Sequence, residues 1–433
     1  MPDTTASPID SAVTGTRTLL DAYESAIELA SPQRCLTAEH IPPGELTVLG
    51  TGKAAASMAL TVNELAPGRA RGVVVTRYEH GLRDGESSGE IEILEAAHPL
   101  PDAASATAGR RLLEVAGTLG SEDTLLFLVS GGGSALSIAP LAAVTLEQKR
   151  EATDFLMRAG ADIRDINCVR RHLSALKGGR LAQAAHPARA VTLAISDVPG
   201  DSIGDIASGP TIPDSSTAAR ALEILSEHDY PGRAQLVAAL SSANELSPGP
   251  YDPDFVADTA KILASSQTAL NAAQKRLESA GYIVHRLGDH LTDVARDLGR
   301  EHAKLAVEYA NDTRPVAMLS GGETRVVVTG KSGRGGRNLE YLAALVLELD
   351  GQERVVALAA DTDGIDGNGD HAGAVVTSDA LSRGLAAGVD LSELLDQNDT
   401  YRYFQACKLL LVTGPTRTNV NDFRLILINP IGE

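Results

Sequence analysis

The sequence contains no tryptophan, only three cysteines and few aromatic residues, which make up 3% of its 433 residues. Because Cys35, Cys168 and Cys407 are far apart and form no CxxC pair, a disulfide framework is excluded. The chain also lacks an uninterrupted apolar run of about 18 residues and a basic N-terminal segment followed by an apolar one. We therefore expect a cytoplasmic protein with reduced thiols and neither a signal peptide nor a membrane span.

Positive charge is scarce as well. The 38 lysines and arginines are outnumbered by 57 acidic residues, which gives a formal net charge of −19. Nucleic acids and anionic membranes would be repelled by this charge, so neither is an expected partner. We expect small-molecule partners instead, and a phosphate ligand would need locally placed cations and backbone dipoles.

Short, continuous apolar runs alternate with alanine-rich helical stretches, which is typical of parallel sheets covered on both faces. The runs lie at 46–49, 72–76, 125–129 and 191–195, and again at 317–320, 325–329, 355–359, 409–412 and 425–428. Proline and glycine cluster between residues 230 and 254 and indicate a linker. The sequence thus predicts two three-layer α/β/α domains, a Rossmann-like one at 1–255 and a second at 256–433. The opening helix, at about 16–29, could pack on either domain.

Glycine is abundant, with 41 residues, and six glycine-rich segments also carry a charged or hydroxyl residue. Glycine lets backbone N–H groups approach a polyanion closely, so these segments predict a phosphate-handling enzyme. They lie at 50–53, 130–134, 177–180, 320–324, 333–338 and 361–366.

Several residues of the first domain are candidates for phosphate contact. Lys53 follows a predicted strand at a helix start, where its ammonium could hold an anionic oxygen. A carboxylate after a buried strand, Asp197, could accept a proton from an alcohol or hold Mg²⁺, or it could form an Asx turn before Pro199. The candidate phosphate-binding residues are Ser130, Gly131, Gly132, Gly133, Ser134, Lys177, Gly178 and Gly179, with a flexible turn or a helix cap as the alternative.

The second domain offers an arginine clamp and an acidic loop. Arg337, with Gly335 and Asn338 beside it, could clamp a phosphoryl group or a carboxylate, although an exposed basic hairpin would look similar. Asp361, Asp363 and Asp366 follow a buried strand, and their mutual repulsion calls for either a Mg²⁺ ion or capped turns. We expect the flanking His371 to be a surface residue.

Together, these segments resemble the glycerate 2-kinase family, whose C-terminal part is known as the MOFRL domain. The matching stretches lie at 52–54, 98–102, 129–136, 169–174, 177–180, 196–201, 206–211, 333–338, 362–367 and 414–422. The resemblance implies transfer of the ATP γ-phosphoryl group to the 2-hydroxyl of D-glycerate with Mg²⁺. It also implies an active site in a cleft between the two domains. In that site the resemblance implies that Lys53 contacts phosphate, Asp197 is the catalytic carboxylate and Arg337 is the clamp.

Departures from the family pattern at Leu339, at residues 202–204 and at Arg417 keep a kinase for a longer sugar acid as one alternative. A second alternative is an NAD(P)-dependent hydroxypyruvate reductase, because residues 50–55 superficially match the GxGxxG/A dinucleotide pattern. A third is a sugar-acid sensor that consumes no ATP. Enzyme base rates favour a homodimer.

Overall fold

The computed structural model describes residues 15–241, 247–311, 313–329, 333–367 and 369–429. The chain divides into two compact units. The first unit comprises Pro32–Leu263, and the second combines the described residues up to Ser31 with those from Ala264 onward. This division differs from the predicted boundary between residues 255 and 256, because a strand after that boundary completes the first sheet and the opening helix packs in the second unit.

The first unit is built on a six-stranded sheet with the order β3-β2-β1-β4-β5-β6. Strands β1 to β5 pair in parallel, as the apolar runs predict. This order is the one found in Rossmann folds, which bind ligands beyond the carboxyl ends of the strands where the strand order reverses. The strands are β1 (Leu46–Thr51), β2 (Ala70–Arg77), β3 (Glu90–Ala96), β4 (Thr124–Val129), β5 (Arg189–Ile195) and β6 (Thr259–Ala264).

Alternate residues of the buried strands face helices on opposite sides of this sheet. Leu125, Phe127 and Val129 belong to the core formed with α4 and α8, and α3 covers the other face. Helices α6, α7, α9 and α10 form a further apolar cluster around residues such as Leu156 and Ile224. The helices are α2 (Pro32–Cys35), α3 (Ala55–Leu65), α4 (Ala103–Ala116), α5 (Gly133–Leu136), α6 (Leu146–Arg158), α7 (Ile163–His172), α8 (Arg180–Ala185), α9 (Ala218–Glu227) and α10 (Arg233–Leu240).

The second unit contains a mixed six-stranded sheet with the order β11-β10-β9-β12-β8-β7. The closing strand β12 lies antiparallel between β8 and β9. A strand expected at 325–329 is absent from the described residues, where Arg325 forms only an isolated bridge and the Thr329 amide donates to the Asn398 side chain. The strands are β7 (Ile283–Leu291), β8 (Val316–Gly322), β9 (Val355–Asp361), β10 (Gly373–Val376), β11 (Leu410–Leu411) and β12 (Asp422–Ile428).

Helices cover both faces of the second sheet too. Ala357 and Ala359 face the core formed with α12 and α13, whereas Phe423 contacts Tyr23 of α1 on the opposite face. The opening helix therefore packs in the second unit, against α11. The helices are α1 (Thr16–Ala30), α11 (Ser266–Ser279), α12 (Ala295–Ala310), α13 (Arg337–Leu349), α14 (Ala380–Ala387), α15 (Leu391–Asp396) and α16 (Thr400–Ala406). Among the described residues, no helix has both the length and the apolar character that a membrane span requires.

Candidate active site

The loops after β1, β4 and β5 lie at one edge of the first sheet. The strand register places Thr51 opposite Val129, and Val129 opposite Ala194. The three parallel strands therefore end at nearly the same level, and the predicted loops begin together. Lys53 and Asp197 both lie at this edge, and both are half-buried.

The loop after β1 is fastened to the loop after β4 by two hydrogen bonds. The Lys53 amide donates to the Gly131 carbonyl at 2.9 Å, and the Ala54 amide donates to the Ser130 hydroxyl at 2.9 Å. Ser130 thus supplies the cap that α3 lacks, since Ala54 has no side-chain acceptor of its own. Ser130 and Gly131, which are predicted to bind phosphate, hold the two loops in register through these acceptors.

Gly132, Gly133 and Ser134 form the start of α5. Gly132 has a left-handed φ of 81°, which favours glycine, and a Cβ there would stand 3.3 Å from Lys53 Cγ. A Cβ on Gly133 would lie 2.7 Å from the Ala207 side chain, so the loop is tightly packed. The Ala135 and Leu136 amides donate to the Gly132 carbonyl, so the amides that this loop can present to an anion are those of Gly133 and Ser134.

Lys177 lies beneath this loop with only 2% of its surface exposed. Its ammonium donates to the Ser134 carbonyl, the Ser134 hydroxyl and the Ala207 carbonyl, each at 3.2 Å. Burial is the main cause that lowers the pKa of Lys177 to about 7, and the positive charges of nearby Arg170 and Arg171 add to it. Lys177 therefore holds Ser134 in place, and Ser134 in turn bonds the Ser208 hydroxyl at 2.8 Å.

The predicted contribution of Gly178 and Gly179 needs correction. Both have left-handed φ values, of 61° and 83°, and their amides donate to the carbonyls of Ser208 and Gly209. These donors are committed to the protein backbone, so the two glycines shape the turn before α8 and do not present their amides to phosphate.

An ionic cluster supports the same region from the end of α7. Asp214, whose side chain is 2% exposed, forms an ion pair with Arg171 Nε at 3.2 Å and lies 3.3 Å from His172 Nε2. It also accepts from the Ser216 amide and hydroxyl. Burial lowers the pKa of His172, although Asp214 opposes that shift. The resemblance places Arg171 and His172 in a matching stretch, whereas no sequence signal had singled out Asp214.

In the second unit, Arg337 opens α13 and bonds three carboxylates. Its Nε donates to Asp422 at 2.7 Å, and its two terminal nitrogens donate to Asp361 at 2.6 Å and Glu323 at 2.8 Å. Burial alone would lower the pKa of Arg337, but these three carboxylates raise it well above the ordinary value. The exposed hairpin is thus excluded, and the charge of Arg337 is shared among acidic neighbours.

The predicted metal ligands are engaged in other contacts. Asp361 pairs with Arg337, Asp363 accepts from the Ile365 amide at 2.8 Å, and Asp366 accepts from the amides of Asn338 and Leu339 at the start of α13. Nowhere in the described ranges do three His, Cys, Asp or Glu side chains form a group that could hold a metal ion. Arginine and backbone donors, in place of a cation, relieve the repulsion that suggested Mg²⁺.

The remaining predicted residues of this unit serve as anchors. Asn338 is fully buried and donates through Nδ2 to Asp422 at 2.8 Å and to Asp366 at 3.3 Å, while a Cβ on Gly335 would stand 2.6 Å from Thr400 Oγ1. Burial and Asp422 raise the pKa of Asp366 to about 7.

The expectation that His371 is a surface residue is wrong. The side chain is fully buried, its ring lies 5.1 Å from that of Tyr401, and burial lowers its pKa to about 4. The glycines and aspartates around it suggested an exposed loop, but the segment folds back against α16.

Sequence reasoning missed Asp422 as a central residue. It accepts hydrogen bonds from Arg337, Asn338 and, through its other oxygen, Arg424. Its place at the end of a matching stretch and the start of a buried strand was the available signal, because a carboxylate there needs buried donors.

Comparison with known proteins adds three findings. A profile described as "Domain of unknown function (DUF4147)" matches residues 18–241, and the MOFRL family profile matches residues 316–422. The chain is 36% identical to the D-glycerate 2-kinase of Thermotoga maritima over 94% of this chain and 97% of that protein. It is 42% identical to an Agrobacterium vitis protein named as a candidate hydroxypyruvate reductase, over 96% of this chain and 95% of that one.

A solved structure is similar over nearly the whole length. The crystal structure of glycerate kinase from Thermotoga maritima superimposes with a TM-score of 0.84 at 35% identity, covering 95% of this chain and 99% of that one. Both units thus have counterparts in that protein.

Proposed function

The chain belongs to the family of glycerate kinases that combine a DUF4147 domain with a MOFRL domain, and from that premise we propose that it is an ATP-dependent glycerate 2-kinase. It transfers the γ-phosphoryl group of ATP to the 2-hydroxyl of D-glycerate. The observation that carries the proposal is the match to the Thermotoga maritima D-glycerate 2-kinase over 94% of this chain and 97% of that protein.

Within this proposal, Lys53 binds the transferring phosphoryl group and Asp197 orients or deprotonates the acceptor hydroxyl. The fixed loop pair around Gly131 and Ser130 supports the first role, because it holds Lys53 beside the open start of α5. The position of Asp197 directly after β5, half-buried at the same sheet edge, supports the second. Phosphoryl transfer depends mainly on such positioning and on electrostatic stabilisation.

Arg337 remains the proposed clamp. Because its three nitrogens all contact carboxylates, it must release one of these carboxylates before it can bind a phosphoryl oxygen. Glu323 is the candidate, since its side chain is 50% exposed, whereas those of Asp361 and Asp422 are 4% and 0% exposed. The buried partners Asp361 and Asp422 hold the guanidinium in place while the terminal NH₂ group that contacts Glu323 turns to the substrate.

The proposal includes Mg²⁺, which enters the site bound to ATP. Asp361, Asp363 and Asp366 do not fit a preformed cation site, since each already accepts from arginine or backbone donors. Mg²⁺ in kinase sites is usually held by substrate phosphates with one or two carboxylates, so we assign it to the nucleotide phosphates and to none of these three aspartates. A cytoplasmic location and a homodimer complete the proposal.

The alternative reductase is favoured by the name of the Agrobacterium vitis relative and by the Rossmann strand order. One contact weakens it. In a dinucleotide fingerprint the second glycine leaves room for the pyrophosphate. Here a Cβ on Gly52 would stand 2.2 Å from Ser130 Oγ, so the protein itself fills that space.

The decisive assay incubates the protein with ATP, Mg²⁺ and D-glycerate and identifies the product by phosphorus NMR. We expect 2-phosphoglycerate, and a parallel incubation with a four-carbon sugar acid tests the longer substrate. Oxidation of NADH by hydroxypyruvate, without ATP consumption in the first assay, would establish the reductase instead.

Variants then test the residue roles. Lys53→Ala is expected to lower kcat by about 10³-fold, the order found when a cationic clamp is lost from a phosphoryl-transfer site. Lys275→Ala, on the exposed side of α11, is the control and should retain wild-type turnover. Near-normal kcat in Lys53→Ala would remove it from the mechanism, and full activity in Asp197→Asn would reduce that residue to a structural turn.

A further inference from the structure

The first unit contains a cavity of about 640 Å³ that none of the roles assigned so far explains. One wall is the segment that follows β3, His98 to Pro101, and the floor includes Gly132 and Ser134. Another wall is a single face of α6, with side chains at helical spacing. These are Leu146, Lys149, Arg150, Thr153, Asp154 and Met157.

The charge around the cavity favours an anion. Four basic side chains line it, Lys149, Arg150, Arg170 and Lys177, together with one carboxylate, Asp154. Lys149 is buried and donates to the Arg170 and Leu173 carbonyls. Burial lowers the pKa of both lysines, so the two arginines supply the permanent positive charge. Arg170 contacts Asn167 and the Met157 sulfur through two of its five N–H donors, which leaves donors for a ligand.

The apolar part of the lining and the volume decide what kind of anion fits. A volume of about 640 Å³ lies within the range of about 300–1,000 Å³ that is usual for pockets of ligands the size of a drug or cofactor. A three-carbon acid would leave most of that space filled with water. Proline, leucine, isoleucine and methionine side chains beside the cations suit a flat aromatic ring joined to a charged group, as is usual in nucleotide pockets.

The cavity also leads towards the reacting group. Gly132 lines it, and a Cβ on Gly132 would stand 3.0 Å from the His98 ring and 3.3 Å from Lys53 Cγ. Gly132, which is part of the lining, therefore packs directly against Lys53, so the cavity lies next to that residue within the same unit. The His98 to Pro101 segment, a matching stretch without an assigned role, becomes part of the pocket wall.

We propose that this cavity binds the adenine and ribose of the phosphoryl donor, with the phosphates passing Gly132 towards Lys53. The proposal rests on the kinase function and deepens it, because it separates the donor pocket from the site of the small acid. Thr153, midway along the α6 wall, is then a residue that sets nucleotide affinity.

The test compares Thr153→Trp, which fills the cavity, with Glu151→Trp, an exposed position on the same helix that does not line it. ADP binding is measured by calorimetry without acceptor, and KM is measured for ATP and for D-glycerate. We expect Thr153→Trp to weaken ADP binding by at least about tenfold, which is ~1.4 kcal/mol, and to leave KM for D-glycerate within about twofold. Glu151→Trp should match the wild type in both.

A second variant tests the proposal independently, in case Thr153→Trp does not fold. Met157→Trp lies at a half-exposed position of the same wall and supplies the only tryptophan of the chain, so its fluorescence should change on titration with ADP. Circular dichroism confirms that each variant is folded. An unchanged fluorescence, together with unchanged ADP affinity in Thr153→Trp, overturns the proposal.

The two proposals fail separately. If the wild type turns over ATP and D-glycerate but Thr153→Trp raises only KM for the acid, the cavity belongs to the acceptor and the kinase function stands. If the wild type binds ADP, Thr153→Trp abolishes that binding and no D-glycerate is phosphorylated, the nucleotide pocket stands and the kinase assignment falls.

Discussion

Acid should destabilise the second unit through His302, which lies on α12 and is 4% exposed. Its Nδ1 is 2.9 Å from the Tyr341 hydroxyl, and the two rings meet edge to face. Burial, reinforced by Arg424, lowers the pKa of His302 from 6.5 to about 4. The native state therefore holds the neutral ring at a pH where the unfolded chain has already bound a proton.

Proton linkage gives the direction and the size of the loss in folding stability. Because the folded pKa is the lower one, the contribution of His302 to stability is complete above pH 6.5 and is lost as the pH falls towards 4. Between pH 7.5 and 4.5, the pKa values of 6.5 and about 4 correspond to a loss of about 2.5 kcal/mol. His371, whose pKa is also lowered to about 4, should contribute a similar loss.

The variant His302→Gln removes the titrating group and keeps a polar side chain near Tyr341. At pH 7.5 we expect it to be less stable than the wild type by about 1–2 kcal/mol, because the edge-to-face contact is lost. At pH 4.5 this deficit should vanish or reverse. Urea unfolding followed by far-UV circular dichroism at both pH values measures the difference, and the double variant with His371→Gln should change by about twice as much.

The prediction is refuted if the free energy of unfolding depends on pH in the same way in His302→Gln and in the wild type. If His302→Gln and the wild type lose the same free energy of unfolding between pH 7.5 and 4.5, His302 does not resist protonation in the folded protein. The difference between variant and wild type isolates this group from the carboxylates, including Asp366, which titrate in both proteins.

Two further predictions concern the supports of the site. Asp214→Ala removes a 2%-exposed carboxylate and leaves a buried guanidinium with one partner fewer, so a loss of about 3–5 kcal/mol in urea unfolding is expected. Asp205→Ala, at the 30%-exposed partner of the same guanidinium, should cost only about 1 kcal/mol, and equal losses would contradict the assignment. Gly336→Ala would place a Cβ 2.2 Å from the Asp366 carboxyl carbon, so the start of α13 must shift at a cost of about 1–3 kcal/mol. Gly249→Ala, which meets no atom within 4 Å, is its control, and an equal melting temperature for both variants would show that no shift is needed.

Sequence patterns were most informative where local rules apply. Continuous apolar runs predicted β1, β2, β4 and β5 within a few residues, because a strand buried on both faces has to be apolar throughout. β3 was missed because three of its seven residues are exposed glutamates, and the four-residue β10 carries too little pattern to be recognised, whereas the run at 409–412 coincides with β11.

Residue roles depended on contacts between distant parts of the chain. The sequence by itself established an α/β protein with glycine-rich loops after its strands and placed Lys53 at the first of them, since strand and loop signals lie within a few neighbouring residues. Only the tertiary structure decided that Ser130 caps α3, that Asp422 and Arg337 neutralise each other, and that α6 closes a cavity beside Gly132. Such decisions escape sequence reasoning because the partner of a buried charge, or the far wall of a pocket, can come from any part of the chain.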